Sequence, residues 1–447
     1  VGDFRAIADR IAGDIASGRL RPGQQLPPQR WFARRHRIAP STAGRVYGEL
    51  VRRGLVVGEV GRGTFVRAAP EPARGRALIE AATAAPVNLE LNYPVVAGQS
   101  ELLGQALAPL LRADALTEAL RPGAAAGTPA AREAAARLLG LPDWRPGPDR
   151  ILFAGNARQA IAAALASLVR PGGRVGVEEL TYPLVMEVAA RLGIVLVPLA
   201  GDAEGGVRPD ALRAAHRAAP LRALYLQPTL HNPTSVTMTY PRKKELALAV
   251  ADLDIPVVED RIWSFLHPDS RPFAVHAPSL THVVDGLSKR VAPGLTVGFL
   301  VVPEGRAQAV GAAVRSGGWS AAGFALEAAV RWEAEGIVRR LVEEKRADAA
   351  RRQAVLAEHL GGFSVRTDPR AYFAWWELPA PWRADTFTAA AAAHGIAVTP
   401  GTAFAVDPHR TPDAVRLGLA SAPVEELARA LRTLAGVAAG GPPSGTP

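Results

Sequence analysis

Val284-Asp285-Gly286-Leu287-Ser288-Lys289-Arg290-Val291-Ala292-Pro293-Gly294-Leu295-Thr296-Val297-Gly298-Phe299 reads as a buried strand, a polar turn and a second apolar strand. Its lysine is one of four among 447 residues, with Lys243, Lys244 and Lys345. Almost every other basic position is arginine, whose guanidinium keeps its proton. A lysine retained between apolar strands is a primary amine that burial or nearby charge can deprotonate. Only such a neutral amine can form an imine with a carbonyl compound. Lys289 is therefore the first candidate for chemistry.

Outward from this stretch the chain alternates helices with short apolar strands. Strands are expected at 150–153, 174–177, 195–198, 223–226, 256–258, 281–284 and 296–302, with a helix at 159–169. Continuous apolar strands with crossover helices indicate a mainly parallel sheet buried on both faces. After about residue 305 a long charged helix is expected over 325–360, followed by a smaller α+β portion.

At 447 residues the chain exceeds one ordinary core, so two or more domains are expected. No apolar run reaches the roughly 18–20 residues that span a membrane. The start Val1-Gly2-Asp3-Phe4-Arg5 is not a signal peptide. The absence of cysteine excludes disulfides and thiolate chemistry, and the nine histidines show no paired metal spacing. The expectation is a cytoplasmic protein with neither a metal nor a membrane partner.

Charge is concentrated at the N-terminal end. Residues 1–75 hold 14 arginines against 6 acidic residues, most of the formal +10 of the whole chain. A basic head on a nearly neutral body suggests a polyanion partner for the head. Phe4, Ile7, Ile11 and Ile15 recur at helical spacing, and Gly18 is expected to end that helix. A second helix is expected from Leu26-Pro27-Pro28 through Arg35. A third is expected from Pro40, with Ser41 as its N-cap and Val46, Leu50 and Val51 facing inward. Leu55-Val56-Val57 and Thr64-Phe65-Val66 read as a hairpin around a glycine-rich tip.

Three helices and a hairpin make a winged helix-turn-helix. Leu20-Arg21-Pro22-Gly23-Gln24-Gln25-Leu26-Pro27, Arg30, Ser41-Thr42, Tyr47-x-x-Leu50 and Gly61-Arg62-Gly63-Thr64-Phe65-Val66 together resemble the DNA-binding domain of the GntR family. The resemblance implies an operator in double-stranded DNA. Ser41, Thr42 and Arg45 would enter the major groove, Arg30 would contact phosphate or base, and Arg62 and Gly63 would approach the minor groove. Pro28 and Pro40 depart from the family, where a capping serine and a DNA-contacting arginine are usual. Tyr47 is expected to pack in the core.

The loops after the body's strands resemble, in order, those of fold-type I PLP-dependent aminotransferases. With the head, about residues 3–435 resemble the MocR branch of GntR regulators. The implied fold class is α/β: a winged helix-turn-helix, then a mainly parallel sheet with flanking helices and a smaller C-terminal α+β subdomain. The expected boundaries are 1–68 for the head, 69–86 for a linker, 87–438 for the body and 439–447 for a disordered tail.

The resemblance implies pyridoxal 5'-phosphate (PLP) as cofactor, held as an internal aldimine on Lys289, which would also be the catalytic residue. Gly155, Asn156, Ala157 and Arg158, between a strand and a helix, would hold the phosphate, with Ser288 beside the lysine. Tyr182 would stack on the ring, Asn232 would donate to its 3-oxygen, and Asp260 would pair with its nitrogen. Arg416 would clamp a substrate carboxylate. Thr296 stands where relatives carry a phosphate-binding arginine, and Arg290 or Arg158 is left to replace that charge. Trp263 (or Ile262) stands where a tyrosine usually helps to hold the 3-oxygen. No tyrosine near Leu120-Arg121-Pro122 marks the usual contact to a partner subunit. The resulting expectation is a homodimeric transcriptional regulator sensing PLP or an amino-acid effector. The alternatives are an aminotransferase acting on an amino acid, and a cofactor-free DNA-binding protein that uses the body to dimerise.

Overall fold

A computed structural model describes residues 4–16, 19–20, 23–59, 63–67, 85–120, 123–202, 205–407 and 411–441. Several expectations fall outside these residues: Gly18, Arg21-Pro22, Gly61 and Arg62 of the wing tip, residues 69–84 of the linker, Arg121-Pro122 and the tail from 442; residues 439–440, expected to begin that tail, instead end the helix Val424–Gly440.

The head runs α1 (Phe4–Ala16), β1 (Gln25–Leu26), α2 (Gln29–Arg35), α3 (Pro40–Arg52), β2 (Val56–Glu59) and β3 (Gly63–Val66). Ala8, Ile11, Phe32, Val46, Leu50, Val56 and Val66 bury one face of each element in a shared core. Tyr47 packs edge-on against Phe32 and donates its hydroxyl to the Pro27 carbonyl, as core packing predicts. Arg53 bonds Asp9 and Glu49, tying the start of the chain to the end of α3. Three details differ from the sequence expectation. Residues 25–26, expected to lead into the second helix, form a strand on β3, giving a three-stranded sheet in the order β1-β3-β2; the helix starts only after Pro28. Ala39, not Ser41, occupies the N-cap of α3, because Pro40 takes the first helical position and moves Ser41 inside. Val51 is exposed, since the inward stripe ends with Leu50.

The body is built on β5 (Ile151–Ala154), β6 (Arg174–Glu178), β7 (Val195–Leu199), β8 (Ala223–Leu226), β9 (Val257–Asp260), β10 (Thr281–Gly286) and β11 (Gly298–Val301). Their order is β5-β11-β10-β9-β8-β6-β7. The strands are parallel except β11, which runs antiparallel to both neighbours. Helices cover both faces, so the central strands are buried along their whole length. Gly298 permits one close approach: a Cβ there would lie 2.3 Å from the Asn156 carbonyl oxygen. A side-chain-free position on β11 thus lets the helix α4 (Ala157–Leu168) start against the sheet.

Beyond the sheet, the expected single helix over 325–360 is two, Gly323–Ala334 and α5 (Ile337–Leu360). Gly336 breaks the run with φ 73°, a left-handed turn suited to glycine. The smaller subdomain pairs β12 (Val365–Arg366), β13 (Phe373–Glu377), β15 (Thr399–Pro400) and β16 (Ala414–Gly418) in the order β12-β13-β16-β15. Beside it, β14 (Ile396–Ala397) pairs with β4 (Val87–Asn88) from the far end of the body. Head and subdomain touch where the Arg383 guanidinium stands 4.3 Å over the Phe65 ring.

Candidate functional site

Doubly wound parallel sheets bring ligands to the carboxyl ends of their strands, where the loops and helix N-termini gather. Here β5, β6, β8, β9 and β10 deliver Gly155–Arg158, Tyr182, Asn232, Asp260 and Lys289 to that edge, and β16 of the smaller subdomain contributes Arg416.

Lys289 lies on a four-residue helical turn, Leu287–Arg290, that follows β10 directly. Its Nζ donates to the Asn92 carbonyl at 2.7 Å and lies 4.2 Å from the Tyr93 ring and 5.0 Å from the Trp263 ring. Burial, then the positive charges of Arg416, Lys345 and Arg158, pull its pKa down to about 7. Much of this amine is therefore neutral and nucleophilic at physiological pH.

Asp260 is buried at the end of β9, and burial pushes its pKa up. Three donors hold it: the Tyr225 hydroxyl at 2.7 Å, Gln227 Nε2 at 2.9 Å and the Ile262 amide at 3.0 Å. Glu178 at the end of β6 accepts from the Gln227 amide, while its second oxygen has no partner among the described residues. Burial raises it to about 7. Asn232 donates its amide to Gln227 Oε1, and its side-chain oxygen is buried without a partner among the described residues. His231 beside it bridges Thr234 and the Leu180 carbonyl, and burial lowers its pKa to about 4, so its imidazole is neutral. Tyr182 is half-buried at the start of the helix Pro183–Arg191.

Asn156 caps α4 by accepting from the Gln159 amide at 3.0 Å. Gly155 departs from the expected free donor, because its amide already serves the Trp319 carbonyl. The amides of Ala157 and Arg158, in the first turn, make no hydrogen bond within the described residues. The two arginines differ in their surroundings. Arg290 is locked to buried Asp285 and lies over Phe265, whereas Arg158 is exposed and makes no ion pair among the described residues. Ser288 is half-buried, and the Thr296 hydroxyl is buried without a partner among the described residues. Trp263 packs with Phe265, Tyr372 and Phe373, filling with an indole the place where a hydroxyl was missed.

Arg416 is buried on β16 and pulled down to about 10 by that burial. Its Nη2 donates to the Glu90 carbonyl and to Thr399 Oγ1, and its Nε has no partner among the described residues. Sequence reasoning missed Asn92, Tyr93, Glu178, Tyr225, Gln227 and Lys345. Gln227 opens the loop 227–235 that carries Asn232, and the others stand in no motif, although Glu178, like Gln227, lies at the carboxyl end of a strand, where a search by position would have found it.

In the head, Arg30 and Ser41 are exposed on adjoining helices and Thr42 is half-buried. Arg45 is exposed, but its guanidinium folds back over the Phe4 ring at 4.1 Å. Gly63 opens β3 with φ 119°. Among the described residues no helix is long and apolar enough to cross a membrane, and no cluster of ligands could hold a metal ion.

Residues 86–434 match the family of class I and II aminotransferases, and residues 4–66 match the bacterial regulatory proteins of the gntR family. The chain is 29% identical over 435 residues to YdeF of Bacillus subtilis, described as an uncharacterized HTH-type transcriptional regulator. That match covers 96% of this chain and 93% of YdeF. YdcR of Escherichia coli, described in the same words, is 24% identical, with 90% and 92% covered. Among solved structures, an archaeal alanine:glyoxylate aminotransferase superposes with a TM-score of 0.72 at 21% identity, covering 81% of this chain and 93% of that one. LysN, the α-aminoadipate aminotransferase of Thermus thermophilus, solved with N-(5'-phosphopyridoxyl)-L-leucine, gives 0.72 at 22% identity, with 82% and 95% covered. At such identities these structures establish the fold alone. The chain thus belongs to the class I and II aminotransferase family and carries a gntR-type helix-turn-helix head, the two-part architecture of MocR-like regulators.

Proposed function

We propose that this protein is a DNA-binding transcriptional regulator whose body holds PLP at Lys289 and senses an amino compound there. The observation that carries the reading is the desolvated Lys289 amine, facing buried Arg416, in a chain whose head leaves Arg30 and Ser41 open to a partner. A basic reading head has no use in catalysis alone.

The residues fit PLP in charge and in hydrogen-bonding capacity. The unengaged amides of Ala157 and Arg158 are donors that want an anionic ligand. Lys289 offers the amine. Asp260 would accept from a pyridinium nitrogen, the Asn232 side-chain NH2 would donate to the 3-oxygen, and Tyr182 would stack on the ring. Asn156, Ala157, Arg158 and Ser288 would hold the phosphate, with the guanidinium of Arg158 supplying the charge of the arginine that Thr296 replaces. Gly155 contributes shape rather than its amide. When bound, PLP supplies an aldehyde and an electron-poor ring. Arg416 then receives the effector's carboxylate through its forked N–H groups.

In the head, Arg30, Ser41, Thr42 and Arg45 read double-stranded DNA, joined by Arg62 and Gly63 of the wing. Two heads on a homodimer would read two half-sites. Effector and DNA must each alter the other's binding by the same factor.

The test is a gel shift on the chain's own upstream region, with and without PLP and candidate amino acids. The expected result is specific binding whose affinity responds to PLP or to one amino acid. Unchanged binding in every condition would sink the sensing role. A parallel absorbance spectrum should show a cofactor band, with a borohydride-fixed adduct absent from Lys289→Ala. A colourless protein without that adduct leaves the body as a pairing module. Sustained turnover of an amino donor and a 2-oxoacid would instead favour the aminotransferase reading.

A further inference from the structure

Fully buried Lys345 lies behind half-buried Lys289, and the two amines sit in opposite surroundings. Lys345 projects from α5 with no exposed surface, and its Nζ donates to the carbonyls of Lys289 at 3.0 Å, Arg290 at 3.1 Å and Val291 at 2.8 Å. Three acceptors match the three N–H groups of an ammonium. A neutral amine has only two, so one of the three contacts would be lost and its lone pair would face a carbonyl oxygen.

Lys289 has one carbonyl acceptor, that of Asn92, and is otherwise surrounded by the rings of Tyr93 and Trp263. Arg416 on β16, Arg158 on α4 and Lys345 on α5 face it with positive charge. Asp348 and the Tyr372 hydroxyl are the titratable neighbours of Lys345. The aromatic faces favour a cation only weakly, and burial with three like charges outweighs them. Burial draws both lysines toward about 7. The hydrogen bonds then divide the roles, with the proton on Lys345 and the free amine on Lys289.

We propose that Lys345 is the positioning residue of Lys289: it holds from behind the turn that presents the amine and brings a second cation against it. The hydrogen bonds close into a ring through the body. Tyr372 donates to the Lys345 carbonyl at 2.7 Å and to Asp348 at 3.0 Å. Asp348 holds Arg352, whose Nη1 donates to the carbonyls of Leu419 and Ala422, both at 2.6 Å. Between those carbonyls, the Ala420 amide donates to Asn92 Oδ1 at 3.1 Å, and the Asn92 carbonyl accepts from Lys289. The lysine turn, α5 and the strand end after β16 that bears Arg416 are therefore one connected unit.

The inference rests on Lys289 being the reactive amine, and its test needs no cofactor, so failure of the PLP reading is seen separately. The full chain is labelled with trace acetic anhydride across a pH series, and the Lys289 peptide is quantified by mass spectrometry with Lys244 as internal reference. Wild type should reach half-maximal labelling near pH 7. Lys345→Gln, a neutral donor, and Lys345→Met should both move that midpoint upward by roughly one unit, about five-fold less label at pH 7. Tyr372→Phe loosens the same helix without removing charge and should leave the midpoint in place. An unmoved midpoint in the Lys345 variants, or an equal shift in Tyr372→Phe, would overturn the proposal. If Lys345→Met does not fold, the smaller change Lys345→Gln keeps the comparison decisive.

Discussion

At Arg416 and Asp260 one physical cause, loss of water, acts on charges of opposite sign: it draws the arginine down and the carboxylate up. The same cause leaves a signature in stability. His231 and His282 are buried with their pKa values lowered to about 4, against an ordinary value of 6.5. The unfolded chain binds their protons first. Each therefore contributes stability that is complete above pH 6.5 and is lost as pH falls through the folded value near 4, up to about 3 kcal/mol apiece. Urea midpoints measured from pH 7 to pH 4 should fall steeply across that window. His282→Leu, in the middle of the sheet and away from the site, should flatten the fall; an unchanged slope would remove His282 as a cause. At this scale Lys289 was legible as a rare residue in a polar turn. Its lowered pKa was not, because Arg416, Lys345 and Arg158 lie on other elements.

The helix α3 separates a structural from a recognising role at a single residue. Ser41 lies inside the first turn after Pro40, with its side chain exposed and no capping bond. Ser41→Ala should change the head's stability by less than about 0.5 kcal/mol, whereas loss of a true N-cap costs about 1 kcal/mol. The same variant, and Arg30→Ala more strongly, should weaken operator binding by about 1–3 kcal/mol in fluorescence anisotropy. Wild-type affinity in both would move the DNA contact elsewhere on the head. Element types were readable because periodicity and turn residues are local: the apolar runs of β5, β8 and β9 and the helical spacing of α1 stand in the chain itself. Boundaries were less so. Residues 25–26 became a strand only because β3, about forty residues later, offers its edge, and Gly336 ended a helix whose charge pattern runs on past it.

Across the whole molecule, the stack of Arg383 on Phe65 is a direct contact between the head and the subdomain that carries Arg416. Arg383→Ala should leave basal operator binding within about two-fold, since Arg383 lies outside the head, while reducing the response of that binding to PLP or amino acid. Gel shifts with and without ligand measure both quantities, and an undiminished response would show that coupling runs by another route. Sequence by itself determined the head and the mainly parallel sheet, because each is encoded by neighbours within a few residues; Lys289, Asp260, Asn232 and Arg416 it offered as candidates, through the order of the loops and their resemblance to a family. Tertiary structure alone decided that Arg290 is paired while Arg158 makes no ion pair among the described residues, that Tyr225 and Gln227 hold Asp260, and that Lys345 stands behind Lys289. Those partners lie far along the chain from one another: 35 residues separate Tyr225 from Asp260, 56 separate Lys289 from Lys345, and 197 separate Asn92 from Lys289. A hydrogen bond over such a span leaves no periodicity in the sequence; it exists only once the sheet and α5 have brought its two ends together.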